Sequence, residues 1–410
     1  MALVTIPSSQ RVAFDLVLSC ARAPNRPTTA QAVDQAARRV EDWDHVLRVI
    51  RRHRIAGLAH QALAASAAPI PDAVRETLAR RASAIARAGL MLANESIKLD
   101  AAFRTAGIEV GFLKGPVLSM QLYGDIGRRH SRDLDLFVDP ADLTAAIGVL
   151  QRLDYHAAGG MAVDDVGDWV QRLNQWDFRH NENGTLIELH WRLCPNAELA
   201  GPLAAALVWS AADIGSGRTV RTLSGELLAA YLCLHGGLHA WSRLKWLADI
   251  DVLMSADPGA PQRLLALADR VGLQRPVGQA LWLASELLDM PLDASTRDAL
   301  ASDRTVRNLG EVALDTIMTG DGTTELEETA LGTTRVRLSH FALGRGWRHW
   351  RTQALLALAS GEDLKLIRLP KYLAFAYAVL RPVSWAIRKA AALKVGGARP
   401  AARQDERAVR

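Results

Sequence analysis

The sequence predicts an α+β fold in which a small mixed sheet with its helices is embedded between mainly α-helical regions. Three observations predict it. From Thr28 to about Thr105 apolar residues recur at i, i+3 and i+4, as in VLRVIRRHRIAGLAHQALAA, with alanine and arginine abundant and glycine rare. From 107 to 193 the period changes: a strand, a helix, a strand and a helix are followed by a strand pair around an Asn-Gly turn. After Ser224 the helical period returns and continues to about Val395. The expected divisions are 1–105 helical, 106–222 α/β, 223–395 helical and 396–410 a loose tail.

Size and composition agree with this partition. A chain of 410 residues exceeds one ordinary core, so two or three packed units are expected. With 49% hydrophobic and 23% charged residues, a disordered or fibrous chain is excluded. A net charge of +5 is mild at this length and does not demand a nucleic-acid partner. The three cysteines, Cys20, Cys194 and Cys233, are in no metal-ligand spacing and fit a reducing compartment. The opening residues show no basic segment followed by an unbroken apolar stretch. No charge-free apolar run approaches the roughly 18 residues of a membrane span. A cytoplasmic protein is expected.

Each element of the α/β unit has its own signal. Ile108 to Leu113 reads as a short strand that ends at Lys114-Gly115-Pro116. Val117 to Tyr123 reads as a helix, because Pro116 is tolerated in its first turn. A polar, basic loop, Gly124 to Arg132, leads to a second strand, Asp133 to Val138. Pro140 opens another helix, ADLTAAIGVLQRL, capped by Asp139. Trp176 to His180 and Thr185 to Trp191 then flank Asn181-Glu182-Asn183-Gly184, a hairpin whose turn uses the positive φ that Asn-Gly supplies.

Asp133 and Asp135 are the most informative residues. Side chains alternate along a strand, so these carboxylates share one face while Leu134 and Leu136 enter the core on the other. Like charges side by side repel, and a divalent cation relieves the repulsion. The simpler alternative is a pair of solvated aspartates balanced by Arg129 or Arg132. A third acid, Glu188, follows in Leu186-Ile187-Glu188-Leu189-His190-Trp191.

A glycine turn after one strand, D-h-D-h-h-h on a second and an acid on a third resemble the polymerase-β-like nucleotidyltransferase superfamily. Within it, Phe112-Leu113-Lys114-Gly115, then Arg129-His130-Ser131-Arg132-Asp133-Leu134-Asp135-Leu136-Phe137-Val138, then Glu188-Leu189-His190-Trp191 resemble the bacterial family called uncharacterised nucleotidyltransferase. The segment HGGLHAWSRLKWLADI extends the likeness beyond the α/β unit. The resemblance implies Mg2+-dependent nucleotidyl transfer, with Mn2+ as an alternative ion. It implies that Asp133 and Asp135 hold the metal that bridges the nucleotide phosphates. Glu188 is then expected to share a second metal and to orient or deprotonate the acceptor. Lys114, Gly115, Arg129 and Lys245 are the nucleotide-binding candidates, and Arg132, His190 and Asp249 the secondary ones. The turn departs from the superfamily's usual Gly-Ser: Gly115-Pro116 lacks a hydroxyl and an amide donor, which Lys114 offsets as a point charge.

Other features have plainer readings. His235 and His239 stand i, i+4 on a helix, but Gly236 and Gly237 replace the glutamate of a zinc-protease motif, so packed histidines are expected. Lys245 and Asp249, also i, i+4, suggest a surface ion pair. The segments GWRHWRTQALLALAS and LPKYLAFAYAVLRPVSWAIRKAAALK interleave basic, aromatic and apolar residues, a pattern shared by peripheral membrane contact and helical core packing. RNA binding is disfavoured, since no stacking platform is visible. The activity expected from the resemblance is transfer of an NMP, AMP foremost, from an NTP (ATP foremost) to a small molecule, peptide or protein, with release of pyrophosphate. Three alternatives stay open: a D-x-D glycosyltransferase, a non-catalytic nucleotide-binding scaffold, and a toxin-like enzyme that modifies tRNA or protein. The acceptor and the oligomeric state are not legible.

Overall fold

Helices form wherever the apolar period is helical. The structure, a computed structural model, describes residues 8–158, 170, 173–215, 217–329 and 332–358. The N-terminal part holds α1 (Ser8–Ala21), α2 (Pro27–Ala37), α3 (Trp43–His53), α4 (Ala56–Ala64) and the long α5 (Asp72–Thr105). Local chemistry sets their ends. The Asp42 side chain accepts the His45 N–H at 2.8 Å and caps α3, and Pro71 precedes the first residue of α5.

The strand expected over Ile108 to Leu113 is shorter, and the reason is the exit from α5. Gly107 takes φ +72°, and Ile108 N–H returns to the Phe103 carbonyl at 3.0 Å, so residues 106–108 close the helix instead of pairing in the sheet. β1 is therefore only Gly111–Phe112. It is followed by α6 (Pro116–Tyr123) and β2 (Asp133–Phe137). The helix expected from Pro140 starts as a 3-10 turn, with Asp139 accepting from Ala141 N–H at 2.8 Å, and continues as α7 (Leu143–Arg152). The expected hairpin forms from β4 (Gln175–His180) and β5 (Leu186–His190), with Gly184 at φ +70°.

Three further strands, β3 (Tyr155–Ala157), β6 (Ser210–Asp213) and β7 (Thr219–Thr222), carried no strong alternation in the sequence, and α8 (Ala197–Ala205) joins β5 to β6. The seven-stranded sheet has the order β3-β4-β5-β2-β1-β7-β6. β2 runs parallel to β5 and β1 parallel to β7, and the remaining neighbours are antiparallel. The fold is thus α+β with a mixed sheet. One face is apolar. Leu134, Leu136, Ile187 and Leu189 are fully buried there, in a core that includes Leu99 and Phe103 of α5 and Leu143 and Leu150 of α7. Each such leucine contributes about 1.5–3 kcal/mol by leaving water.

The C-terminal helices are α9 (Gly225–Leu238), α10 (Leu244–Ser255), α11 (Ala260–Val271), α12 (Gln274–Leu288), α13 (Ala294–Ser302), α14 (Arg304–Met318), α15 (Thr334–Leu343) and α16 (Gly346–Leu358). Of these, α9 to α15 share one large apolar core with α1–α4. The basic, aromatic stretch is described only as far as α16. That helix turns polar residues inward: Asn196 Nδ2 donates to Gln353 Oε1 at 3.1 Å, while Trp347 and Trp350 are exposed. The rest of that stretch and the tail expected at 396–410 lie outside the described residues. Among the described residues, no helix is long and apolar enough to cross a membrane.

The loop from Gly124 to Arg132 is held by two close backbone approaches. A Cβ on Gly57 of α4 would lie 2.4 Å from the Arg128 carbonyl oxygen, and one on Gly89 of α5 would lie 2.9 Å from that of Ile126. Backbone cannot swing aside as a side chain does. Gly57→Ala is expected to lower stability by about 1–3 kcal/mol, as overpacking does, measured by urea unfolding.

Candidate metal and nucleotide site

The second face of the sheet is polar, and its strand register decides what meets there. β2 and β5 pair Asp135 with Glu188 and Phe137 with His190. Directly paired side chains project to the same side, so the Asp135 and Glu188 carboxylates stand next to each other, with Asp133 and His190 two residues along their own strands. β4 adds a third row, because Gln175 pairs with His190 and Asp177 with Glu188. Gln175 Nε2 donates to Glu188 Oε2 at 2.8 Å.

Cations surround this row. The Lys114 ammonium, buried two residues beyond β1, lies 2.6 Å from Asp135 Oδ1. It is also 3.4 Å from His235 Nδ1 and 6.0 Å from the centre of the Tyr231 ring, both on α9. Burial works against its charge, but Asp135, Tyr231 and Glu188 outweigh burial and hold its pKa above the ordinary lysine value. His190 Nε2 sits 3.4 Å from Asp135 Oδ1 and 3.5 Å from Glu188 Oε2. Burial disfavours the imidazolium, yet the two carboxylates raise its pKa overall.

The two aspartates of the D-x-D motif diverge. Burial raises the pKa of Asp133, and the neighbouring Asp135 and Glu188 raise it further. Burial also acts on Asp135, but Lys114 and His190 overcome it and hold that carboxyl well below the usual range. Asp135 is therefore the anchored anion of the pair, and Asp133 is the carboxylate that retains a proton more readily.

Asp135, Glu188 and His190 each offer a ligand atom, and these three atoms lie within 4.8 Å of one another. Asp135 Oδ1 and both His190 ring nitrogens are buried without an aligned hydrogen bond, so the contacts at 2.6–3.5 Å satisfy charge but not hydrogen-bond geometry. Buried polar atoms that converge unsatisfied fit a divalent cation. The compact group holds two of the three expected carboxylates, Asp135 and Glu188, with His190 as its third member, and Asp133 borders it on β2.

The remaining candidates are placed as follows. Gly115 adopts φ +82° and ψ −146°, a conformation reserved for glycine, and so turns the chain from Lys114 into α6. Pro116 removes one donor, and the N–H groups of Val117 and Leu118 are the next in that first turn. Arg129 points into the protein: its Nε donates to Asp249 Oδ2 at 2.8 Å and to Oδ1 at 3.1 Å, and Tyr123 Oη donates to Oδ1 at 3.1 Å. Asp249 thus meets an arginine from the loop instead of forming the surface pair expected with Lys245. Lys245 Nζ donates to the His130 carbonyl at 3.1 Å, and burial, then Arg129 and Arg54, push its pKa well down. Arg132 is exposed. His235 and His239 pack on each other and on Trp246, as expected of helix histidines, but His235 also reaches Lys114.

Sequence reasoning passed over Gln175, Asp177 and Tyr231. The first two had a signal. Counting back from the Asn183-Gly184 turn places Gln175 opposite His190 and Asp177 opposite Glu188. Tyr231 had none, because nothing local shows that α9 docks against Lys114.

A mixed sheet has an apolar face against α5 and α7 and a polar face of clustered carboxylates beside buried lysines, a lining that could hold a cation. The model of the family described as uncharacterised nucleotidyltransferase matches residues 39–289, and the chain belongs to that family. The match runs from just before α3 to the end of α12 and includes every residue of this site. No curated protein and no solved structure matches the chain.

The Arg129–Asp249 pair, buried at both ends, braces the loop against α10. Removing one partner strands a charge. Asp249→Ala is expected to cost about 3–5 kcal/mol in urea unfolding, and Arg129→Met combined with Asp249→Leu much less than the sum of the single changes.

Proposed function

We propose that this protein transfers a nucleoside monophosphate, AMP foremost, from an NTP to a hydroxyl or amine of an acceptor and releases pyrophosphate. The observation that carries the reading is the in-register pairing of Asp135 with Glu188 beside the Lys114 ammonium, within a chain of the nucleotidyltransferase family. Asp135, Glu188 and His190 would hold a divalent cation, with Asp133 next to them on the same strand face. Such an ion, Mg2+ or Mn2+, supplies charge neutralisation to the phosphates and to the attacking and leaving oxygens.

The chain's own groups divide the remaining work. Lys114 binds a phosphate through its ammonium once Asp135 has another counter-charge, and the Val117 and Leu118 N–H groups stand beside it at the head of α6. Lys245, whose Nζ donates to the His130 carbonyl close to Arg129 and Arg54, adds a second basic group suited to the outer phosphates. The Glu188 side chain is 32% exposed against 4% for Asp135, so Glu188 is the carboxylate an acceptor can reach. It accepts the acceptor's proton as the new bond to the α-phosphorus forms and the bond to pyrophosphate breaks. We place the reaction in residues 106–222, roofed by the helices that follow. The three buried free thiols support a reducing, cytoplasmic setting.

With labelled ATP and millimolar Mg2+ or Mn2+, the protein is expected to bind the nucleotide and release pyrophosphate. Asp135→Asn and Glu188→Gln should each lower turnover about 10²–10³-fold, the usual scale for losing a preorganised charge at a reacting centre. Nucleotide binding without turnover in the wild type, across a panel of hydroxyl and amine acceptors, would favour the scaffold reading. Failure to bind any NTP would end the assignment.

A further inference from the structure

We propose that His190 is itself a metal ligand, which completes with Asp135 and Glu188 a mixed nitrogen–oxygen site that selects a first-row transition ion over Mg2+. The inference rests on the metal-dependent transfer reading for its location and adds the class of ion.

A buried imidazole ordinarily uses one nitrogen as donor and the other as acceptor. His190 is 4% exposed, yet its Nδ1 has no partner and its Nε2 reaches the two carboxylates only at 3.4 and 3.5 Å, without an aligned hydrogen bond. A leucine would fill such a place more cheaply, so the polar ring is there for something it meets in another state. Its Nε2 is almost equidistant from Asp135 Oδ1 and Glu188 Oε2, at 3.4 and 3.5 Å. Adjacent ligands around one ion, with bonds of roughly 2.0–2.4 Å, are separated by about that much.

Strand geometry makes this position firm. His190 follows Glu188 by two residues on β5 and is paired on both sides, with Phe137 of β2 and Gln175 of β4. Gln175 also holds Glu188 Oε2, so one residue steadies two of the three donors, as partners of metal ligands commonly do. A plainer account makes His190 a permanent counter-cation for the carboxylates. In the ion-free protein the imidazole shares that role with Lys114, 2.6 Å from the same Asp135 oxygen, but the role leaves Nδ1 without any partner and Nε2 without an aligned one, which a bound ion would change.

The nitrogen sets the selectivity. Mg2+ takes oxygen ligands almost exclusively and keeps several waters, whereas imidazole favours first-row transition ions. A site with one nitrogen among its three protein donors should therefore retain Mn2+ in the presence of excess Mg2+.

Mn2+ is the probe. The full-length protein is titrated with Mn2+, with and without ATP, and free ion is followed by continuous-wave EPR. The bound ion is then examined by pulsed EPR for coupling to 14N. The expected result is an imidazole nitrogen coupling that changes when the protein is made with 15N-histidine, and bound Mn2+ that survives a tenfold excess of Mg2+. His190→Gln should lose the coupling and about 10–100-fold in Mn2+ affinity. The isotope experiment needs no variant, so a folding defect in His190→Gln leaves the test intact. Bound Mn2+ without nitrogen coupling overturns the role of His190 and leaves the transfer reading standing. Nitrogen coupling in a protein that binds no nucleotide supports this inference and overturns the transfer reading.

Discussion

Parallel pairing of β2 with β5 sets Asp135 beside Glu188, and two carboxylates at sheet spacing, one of them fully buried, repel unless positive charge is brought to them. Much of the surrounding architecture answers that requirement. Two residues beyond β1 stands a lysine at the level of Asp135, and Gly115 then turns the chain away with a positive φ, so that Lys114 stays over the carboxylate instead of continuing into α6. On β5 the residue two beyond Glu188 is a histidine, which faces the same pair. On α10 Lys245 borders the cluster and donates to the His130 carbonyl, although burial and then Arg129 push its pKa well down. The apolar face below is what keeps this affordable. Leu134, Leu136, Ile187 and Leu189 lock the two strands in one register, and a slip of a single residue would exchange carboxylates for leucines on both faces.

The helical regions hold the charged face from two sides. α5 and α7 support the sheet through the apolar core, while α9 and α10 cover the polar face through Tyr231, His235 and Lys245. The loop from Gly124 to Arg132 links these parts. It lies against α4 and α5 where Gly57 and Gly89 leave room for its backbone, and Arg129 ties it to Asp249 on α10. A buried ion pair of this kind contributes little net stability against an apolar substitute, but it fixes one arrangement, because either charge alone is costly. That suits a loop whose carbonyl, at His130, orients a lysine of the site.

The site was legible in the sequence to the extent that strand alternation carries it. Alternation put Asp133 and Asp135 on one face, and the same rule put Glu188 and His190 together. The Asn-Gly turn fixed the β4–β5 register, and with it the places of Gln175 and Asp177, although this takes counting back from the turn. Illegible were the contacts made by docking between distant elements. The partner of Arg129 lies 120 positions away, and Lys114 meets His235 across 121. Periodicity shows that a helix has a buried side, not which strand it covers. The short β6 and β7 escaped for a different reason: their four-residue segments are too brief to show a period, and they are strands because β1 offers β7 an edge.

The balance of charge also explains why a lysine directly abuts the carboxylates of a site suited to a metal. Without an ion, Lys114 and His190 neutralise Asp135 and Glu188, and the buried acids are tolerated. A divalent ion held by Asp135, Glu188 and His190 would make both of these cations surplus, since it would bring its own charge to the same oxygens and a metal takes only a neutral imidazole. The ammonium then needs another anion close by, and a polyphosphate arriving with the ion provides one within the reach of a lysine side chain. Ion and nucleotide would thereby favour each other through Lys114 as well as through their own contact, because each would remove the cost that the other leaves. A leucine or methionine at position 114 would leave Asp135 uncompensated before the ion arrives, and an arginine would hold its carboxylate in a two-point grip that is harder to exchange. A flexible ammonium is the group that can change partners, which accounts for one of the chain's few lysines standing at this turn.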